Sequence, residues 1–162
     1  MVVFRQVPRV TLGYATTADA VEQVRQLFLE YAAFLKVDLC FQGFANELQA
    51  LPGAYAPPTG RLIVATMEGE MAGCVAIRQF RSDMCEMKRL FVRPAYSGRG
   101  LGRALVKRAI LDAQAIGYRA MVLDTLPSMS AAQLLYSSLG FARCESYHET
   151  PLPGTMFMEL RL

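Results

Sequence analysis

The chain has one histidine, His148, and four cysteines, Cys40, Cys74, Cys85 and Cys144, with no C-x-x-C pair among them. That scarcity argues against a zinc centre, which needs clustered Cys and His ligands. No cysteine has the sequence context of a nucleophile, so all four are expected to be free thiols behaving as small hydrophobes. No apolar run approaches the roughly 20 residues needed to cross a membrane. Met1 to Val10 shows no apolar core after a basic start, so no secretory leader is expected. There is no internal repeat and no low-complexity tract. A soluble, cytoplasmic protein with no membrane partner is the expectation.

Acidic residues are missing from one stretch. Lys88, Arg89, Arg93, Arg99, Arg103, Lys107 and Arg108 follow one another with no Asp or Glu between them. Such a stretch is either a solvated basic face or a counter-charge for a polyanionic ligand. Few aromatics interleave it beyond Phe91 and Tyr96, which is poor provision for base stacking. No nucleic-acid partner is therefore expected.

What is present is ample core material. The chain has 162 residues, is 53% hydrophobic and 19% charged, and carries a net charge of +3. A chain of this size buries roughly 68–70% of its extended surface, enough for one domain spanning 1–162. The patterning predicts a strand over Val10 to Ala15, then a helix capped by Thr17 and running to Leu35. A short helix over Ala45 to Leu51 precedes a proline-rich loop. Strands follow at Arg61 to Met67, Met71 to Phe80 and Met84 to Val92. A long helix covers Leu101 to Ile116 and stops at Gly117. Arg119 to Asp124 reads as a strand, Ser130 to Leu139 as a helix, and Phe141 to Tyr147 and Thr155 to Leu160 as closing strands.

The segment Ser97-Gly98-Arg99-Gly100-Leu101-Gly102 joins a strand to a helix. Alternate glycines there let backbone approach a ligand closely and leave N–H groups free at a helix N-terminus, a site for phosphate. A P-loop is excluded, because no Lys-Ser/Thr follows a G-x-x-x-x-G. A dinucleotide turn needs G-x-G-x-x-G, whereas the glycines stand at 98, 100 and 102.

The turn resembles the [Gln/Arg]-x-x-Gly-x-[Gly/Ala] motif of the GCN5-related N-acetyltransferase (GNAT) family, with Arg99-Gly100-Leu101-Gly102 as its second half. Met87 to Pro94 is similar to the family's fourth strand and exit. Ala132, Leu135-Tyr136 and Leu139-Gly140-Phe141 resemble its A-x-x-L-Y-x-x-x-G-F signature in both type and spacing. Ser97 stands where Gln or Arg is usual, and Met129 where an Asn often contacts the cofactor.

The resemblance implies an α/β fold: a mixed, mostly antiparallel sheet of six to seven strands, flanked by about four helices and splayed between the fourth and fifth strands. It also implies acetyl transfer from acetyl-CoA to a primary amine in a ternary complex, with no metal. Backbone at Leu90, Phe91 and Val92 would meet the pantetheine arm. Gly98, Arg99, Gly100, Leu101, Gly102 and Arg103 would take the pyrophosphate. Tyr136 matches the family's general acid. Glu86 matches the position of its catalytic glutamate, and strand alternation places it on one face with Lys88 and Leu90. Burial near a thioester would raise the Glu86 carboxyl and make it a better base. Asp124, Tyr147 and His148 could contact the acceptor, a small-molecule amine or a protein or peptide amine. A homodimer is compatible with the sequence. The alternative is a non-catalytic acyl-CoA-binding regulator on the same fold.

Overall fold

The computed structural model describes residues 8–162. The expectation of no leader falls largely on residues 1–7, outside the described residues. The elements are β1 (Val10–Tyr14), α1 (Ala18–Leu35), α2 (Phe44–Ala50), β2 (Arg61–Met67), β3 (Glu70–Arg81), β4 (Met84–Val92), α3 (Leu101–Ile116), β5 (Ala120–Thr125), α4 (Ser130–Ser138), β6 (Ala142–Arg143) and β7 (Met156–Arg161). The strands form one seven-stranded sheet in the order β1-β2-β3-β4-β5-β7-β6. Among the described residues, only β4 and β5 pair in parallel. The other pairs are antiparallel. This is the mixed sheet that the sequence predicts. Among the described residues, no helix is long and apolar enough to cross a membrane.

Each face of the sheet carries a helix layer. On one face, Leu101, Leu105, Val106 and Ala109 of α3 pack on Ile63, Val75, Met87 and Met121. On the other, Val24, Leu27 and Phe28 of α1 pack on Leu62, Val64, Cys74, Ala76 and Phe91. The three- and four-residue spacing of these apolar positions is what commits both segments to helix. Thr17 caps α1 by accepting a hydrogen bond from the Ala20 N–H at 3.2 Å. Gly117, at φ 108°, ends α3 in a left-handed turn.

Two expectations need correction. The strand expected over Phe141 to Tyr147 pairs only through Ala142 and Arg143, with one further bond from the Cys144 N–H to the Phe157 carbonyl. Beyond it the chain leaves the ladder, and Tyr147 instead packs between Phe80 and Phe157. The cysteines also divide: Cys74 and Cys85 are buried, but Cys40 is exposed and Cys144 only partly covered.

The feature that sets the site is in β4. Cys74 pairs with Phe91 and Ala76 with Lys88, so Arg89 and Leu90 together oppose Val75. That is a β-bulge, and Arg89 adopts φ 60° to make it. The extra residue reverses the alternation. Glu86 and Lys88 face α1, whereas Leu90 and Val92 join the α3-side core. Leu90 is therefore not on the Glu86–Lys88 face.

Gly73 of β3 lies against the backbone of β4, opposite Val92. A Cβ added there would lie 2.5 Å from the Phe91 carbonyl oxygen and 3.2 Å from the Val92 Cα. A Cβ added at Gly13 of β1 would meet nothing within 4 Å. Gly73→Ala is expected to destabilise the fold by about 1–3 kcal/mol through overpacking against backbone. Gly13→Ala should stay within about 0.5 kcal/mol of the parent. Urea unfolding midpoints of the two variants check the contrast.

Candidate functional site

Strands β4 and β5 pair only at Met84–Ala120, Cys85–Met121 and Glu86–Val122. Beyond Glu86 they diverge, and a cleft opens between them. The pairing of β3 with β4 fixes what β4 shows to this cleft. The Arg93 N–H donates to the Ala72 carbonyl at 2.8 Å, so Ala72 and Arg93 form a hydrogen-bonded pair. Its neighbour, Gly73–Val92, is therefore a non-bonded pair, and the Val92 N–H and C=O turn away from β3 toward the gap. Among the described residues, this backbone donor has no ladder partner at the edge of β4.

One arm of the cleft is a groove bounded by Phe34, Leu90, Val92, Gly98, Gly102 and Ala132. Phe91, Gly100, Leu101, Met129 and Leu135 also border it. Gly98 and Gly100 adopt φ 73° and 80°, and a Cβ at either would meet no neighbouring atom within 4 Å. Gly100 is the N-cap of α3, no side chain caps that end, and its first turn holds no acid. Free N–H groups and the positive end of the helix dipole thus face the groove.

Of the expected cofactor residues, the structure brings Leu90, Phe91, Val92, Gly98, Gly100, Leu101 and Gly102 to this groove. Arg99 and Arg103 are not among its lining residues. Arg99 Nη1 lies 3.4 Å from the Met67 sulfur, and Arg103 Nη2 donates to Ser138 Oγ at 2.7 Å.

The basic stretch is not one face. Arg89 pairs with Glu47 at 2.9 Å and is almost fully buried, Arg93 pairs with Glu30 at 2.8 Å, and Arg108 pairs with Asp112 at 3.1 Å. Glu47 and Glu30, distant in sequence, and Asp112, one helical turn beyond the stretch, pair with these arginines, so the reading of the whole stretch as ligand counter-charge is corrected.

The second arm of the cleft runs through the splay and is lined by Tyr31, Leu35, Leu39, Gln42, Lys88, Arg89, Asp124 and Tyr136, among others. Met129 and Leu90 border both arms. Tyr136 is 6% exposed. Among the described residues its hydroxyl has no hydrogen-bond partner, yet no polar side-chain atom there is both fully buried and unpaired. The hydroxyl therefore opens onto the cleft. Burial raises its pKa, with smaller contributions from Tyr31 and Asp124. It is a protonated donor at neutral pH.

Glu86 is placed differently from the expectation. Only 2% of it is exposed. Its Oε1 accepts from Arg78 Nε and Nη2 at 3.0 and 2.8 Å, and its Oε2 accepts from the Tyr147 hydroxyl at 2.7 Å. Burial pushes its carboxyl up. Lys88, the Tyr147 hydroxyl and Arg78 together outweigh burial and hold it below the ordinary 4.5. The raised carboxyl expected for a base is not found; Glu86 is a fixed carboxylate whose two oxygens are both engaged. Burial and the Glu86 charge also keep the Tyr147 hydroxyl protonated.

Across the cleft, Asp124 Oδ2 and His148 Nε2 stand 2.6 Å apart. The loop that leaves β6 early delivers both Tyr147 and His148 to the site. Sequence reasoning named these two residues but not Tyr31, Phe34 and Gln42. The aromatic-rich segment from Phe28 to Tyr55 reads equally as the lining of an apolar pocket or as core. Phe28 is indeed core, whereas Tyr31 and Phe34, further along the same helix, border the cleft. Gln42 has no sequence signal. Among the described residues, no group of three or more His, Cys, Asp or Glu could hold a metal.

The family model described as Acetyltransferase (GNAT) domain matches residues 58–143. An uncharacterized N-acetyltransferase of Schizosaccharomyces pombe is 41% identical over 143 residues, covering 87% of this chain and 88% of that protein. The N-acetylaspartate synthetase of Danio rerio is 37% identical over 111 residues, 67% of this chain and 39% of that longer protein. A Salmonella typhimurium structure of the acetyltransferase class, solved with its cofactor acetyl-CoA, superposes with a TM-score of 0.66 at 24% identity. That match covers 94% of this chain and 93% of the other.

The Glu86 network has a pH signature. Because its folded carboxyl titrates below 4.5, its stabilisation is complete above that pH and is lost as pH falls through the folded value. Glu86→Gln should cost about 2–3 kcal/mol at pH 7. That is less than a fully buried pair, since the Arg78 side chain is 35% exposed. The deficit should shrink as pH falls below 4.5, so that parent and variant unfolding midpoints approach each other toward the acid end of the range. Urea titrations from pH 3 to 8 measure this.

Proposed function

The chain belongs to the GCN5-related N-acetyltransferase family, and on that premise we propose that it passes the acetyl group of acetyl-CoA directly to a primary amine, both held together in the splayed cleft. It is an acetyl-CoA-dependent acetyltransferase; the amine acceptor, the direct transfer and the residue roles are our reading. The reading takes the 162 residues as one catalytic domain. The observation that carries it is the meeting of two backbone features in one groove. These are the uncapped, glycine-led N-terminus of α3 and the unpaired Val92 edge of β4.

The residues present fit the cofactor. The free N–H groups at the start of α3 suit a pyrophosphate. Left-handed glycines at 98 and 100 leave open space above them. The small side chains of Ala131 and Ala132 on α4 form the opposite wall. Neither departure, Ser97 nor Met129, removes a backbone donor from this cradle. Acetyl-CoA supplies an activated acetyl thioester.

The chain's own groups then have distinct tasks. The Val92 N–H points a donor into the gap, where an acyl oxygen gains negative charge. Tyr136 holds a proton at Oη, available to a leaving sulfur. Glu86 keeps Arg78 and Tyr147 in position and exchanges no proton. Asp124, which lines the cleft from β5 and is held at Oδ2 by His148 of the loop after β6, receives the acceptor amine. Alkylamines are mostly protonated at neutral pH, so that amine must lose a proton before it attacks. The N-acetylaspartate synthetase relative, named for an acetylated amine product, supports an amine acceptor.

Acetyl-CoA at a hundredfold excess over its dissociation constant should stabilise the fold by about 2.7 kcal/mol. No change in the unfolding midpoint at millimolar acetyl-CoA would overturn the reading. Tyr136→Phe should lower kcat by about 100-fold or more, with acetyl-CoA affinity within about twofold of the parent. Steady-state rates and calorimetric titration measure the two quantities. Unchanged turnover removes Tyr136 as the proton donor.

A further inference from the structure

The acceptor arm of the cleft presents two unlike charges on its two separated strands. Lys88 lies on β4, and its side chain is 7% exposed. Its ammonium has three donors to place. One reaches Gln42 Oε1 at 3.3 Å, while the nearest carboxylate oxygen, Glu86 Oε1, is 3.9 Å away. Glu86 cannot close that gap, because Arg78 and Tyr147 already hold it. Burial pulls the Lys88 ammonium below its ordinary value and Glu86 only partly opposes this. A buried ammonium with unfilled donors is costly, and it borders a cavity.

The adjacent Arg89 is in the opposite condition. Its guanidinium is filled by Glu47 at 2.9 and 3.2 Å and by Gln42 at 2.9 Å. The structural cation is thus satisfied and its neighbour is not. Across the gap, Asp124 of β5 gives Oδ2 to His148, and among the described residues Oδ1 has no partner. Tyr31, Leu35 and Leu39 line the same cavity as the two charges.

Resting on the amine-acetyltransferase reading, we infer that the acceptor is a free amino acid, its carboxylate bound by Lys88 and its amine by Asp124. A carboxylate fills the empty Lys88 donors with charge-assisted bonds, and an ammonium finds the open Asp124 oxygen. Lys88 determines specificity; it forms no bond to the acetyl group. A peptide N-terminus presents an amide where Lys88 needs a carboxylate, so the same chemistry disfavours protein acceptors.

The test compares alanine, methionine and phenylalanine with their α-amides and decarboxylated amines, and aspartate with asparagine amide. The free acids should be acetylated with kcat/KM about tenfold or more above the uncharged partners, mainly through KM. In Lys88→Met the acid-to-amide ratio should fall toward one, and Lys88→Arg should restore part of it. Calorimetry on the parent protein gives a readout that needs neither variant nor turnover. N-acetylphenylalanine should bind and its amide should bind at least about tenfold more weakly.

Equal use of acids, amides and decarboxylated amines overturns the inference and leaves amine acetylation standing. Equal loss of kcat for acids and amides in Lys88→Met also overturns it, since Lys88 would then act on the proton and not on the carboxylate. No acetylation of any amine, with acetyl-CoA still bound, overturns both readings.

Discussion

The parting of β4 from β5 after the Glu86–Val122 pair is the constraint on which the site depends. A parallel pair that continued would consume the Val92 N–H and C=O in ladder bonds and close the cleft. The bulge at Arg89 and Leu90 accompanies the parting, and it leaves two adjacent side chains, Lys88 and Arg89, on one layer before Leu90 returns to the other. Arg89 goes to the α1 side, where it is buried against Glu47, Gln42 and the rings of Tyr31 and Phe44. Leu90 goes to the α3 side and borders both arms of the cleft. A non-glycine residue at φ 60° costs of order 1–3 kcal/mol, and the Arg89 contacts offset that strain.

Buried charge is the bracing that lets two strands stand apart without hydrogen bonds between them. Two networks do this on the α1 side of β4. Arg89 ties the bulge to α2 through Glu47, which also accepts from the Tyr55 hydroxyl. Glu86 ties the last paired residue of β4 to Arg78 on β3 and to Tyr147 on the loop after β6. Buried ion pairs add little net stability, but losing one partner leaves the other uncompensated. Their effect here is positional: they hold β4, α2 and the loop after β6 around one cavity. Lys88 is the member of this group that borders the cavity with a single hydrogen bond, to Gln42.

Much of the fold could be read along the chain because its signals are local. The apolar stripe from Leu101, the glycines before it and Gly117 after it bound α3 correctly. Thr17 caps α1 as its hydroxyl predicts. Tyr136 and Phe141 take their places because the helix and its glycine stop set their spacing; their rings pack 5.7 Å apart. Three readings failed where a distant contact overrode a local pattern. Leu90 changed face because one inserted residue reverses a period of two. Glu86 became a fixed carboxylate because Arg78 and Tyr147, 8 residues before it and 61 after it, reach its oxygens. The last strand before β7 stopped early because Tyr147 gains more from Phe80 and Phe157 than from a ladder position.

By itself, the sequence determined the family, the element order and the glycine-led start of α3, since each rests on residue types at short, fixed spacing. The tertiary structure alone decided which charges are spent and which are free. Within the run from Lys88 to Arg108, composition cannot separate Arg89, closed by Glu47, from Lys88, open to the cleft. The difference is set by which acids fold against them, and the partners of Arg89 lie 42 and 47 residues away. Charge is written in the chain, but its neutralisation depends on distances of a few ångströms that only packing sets.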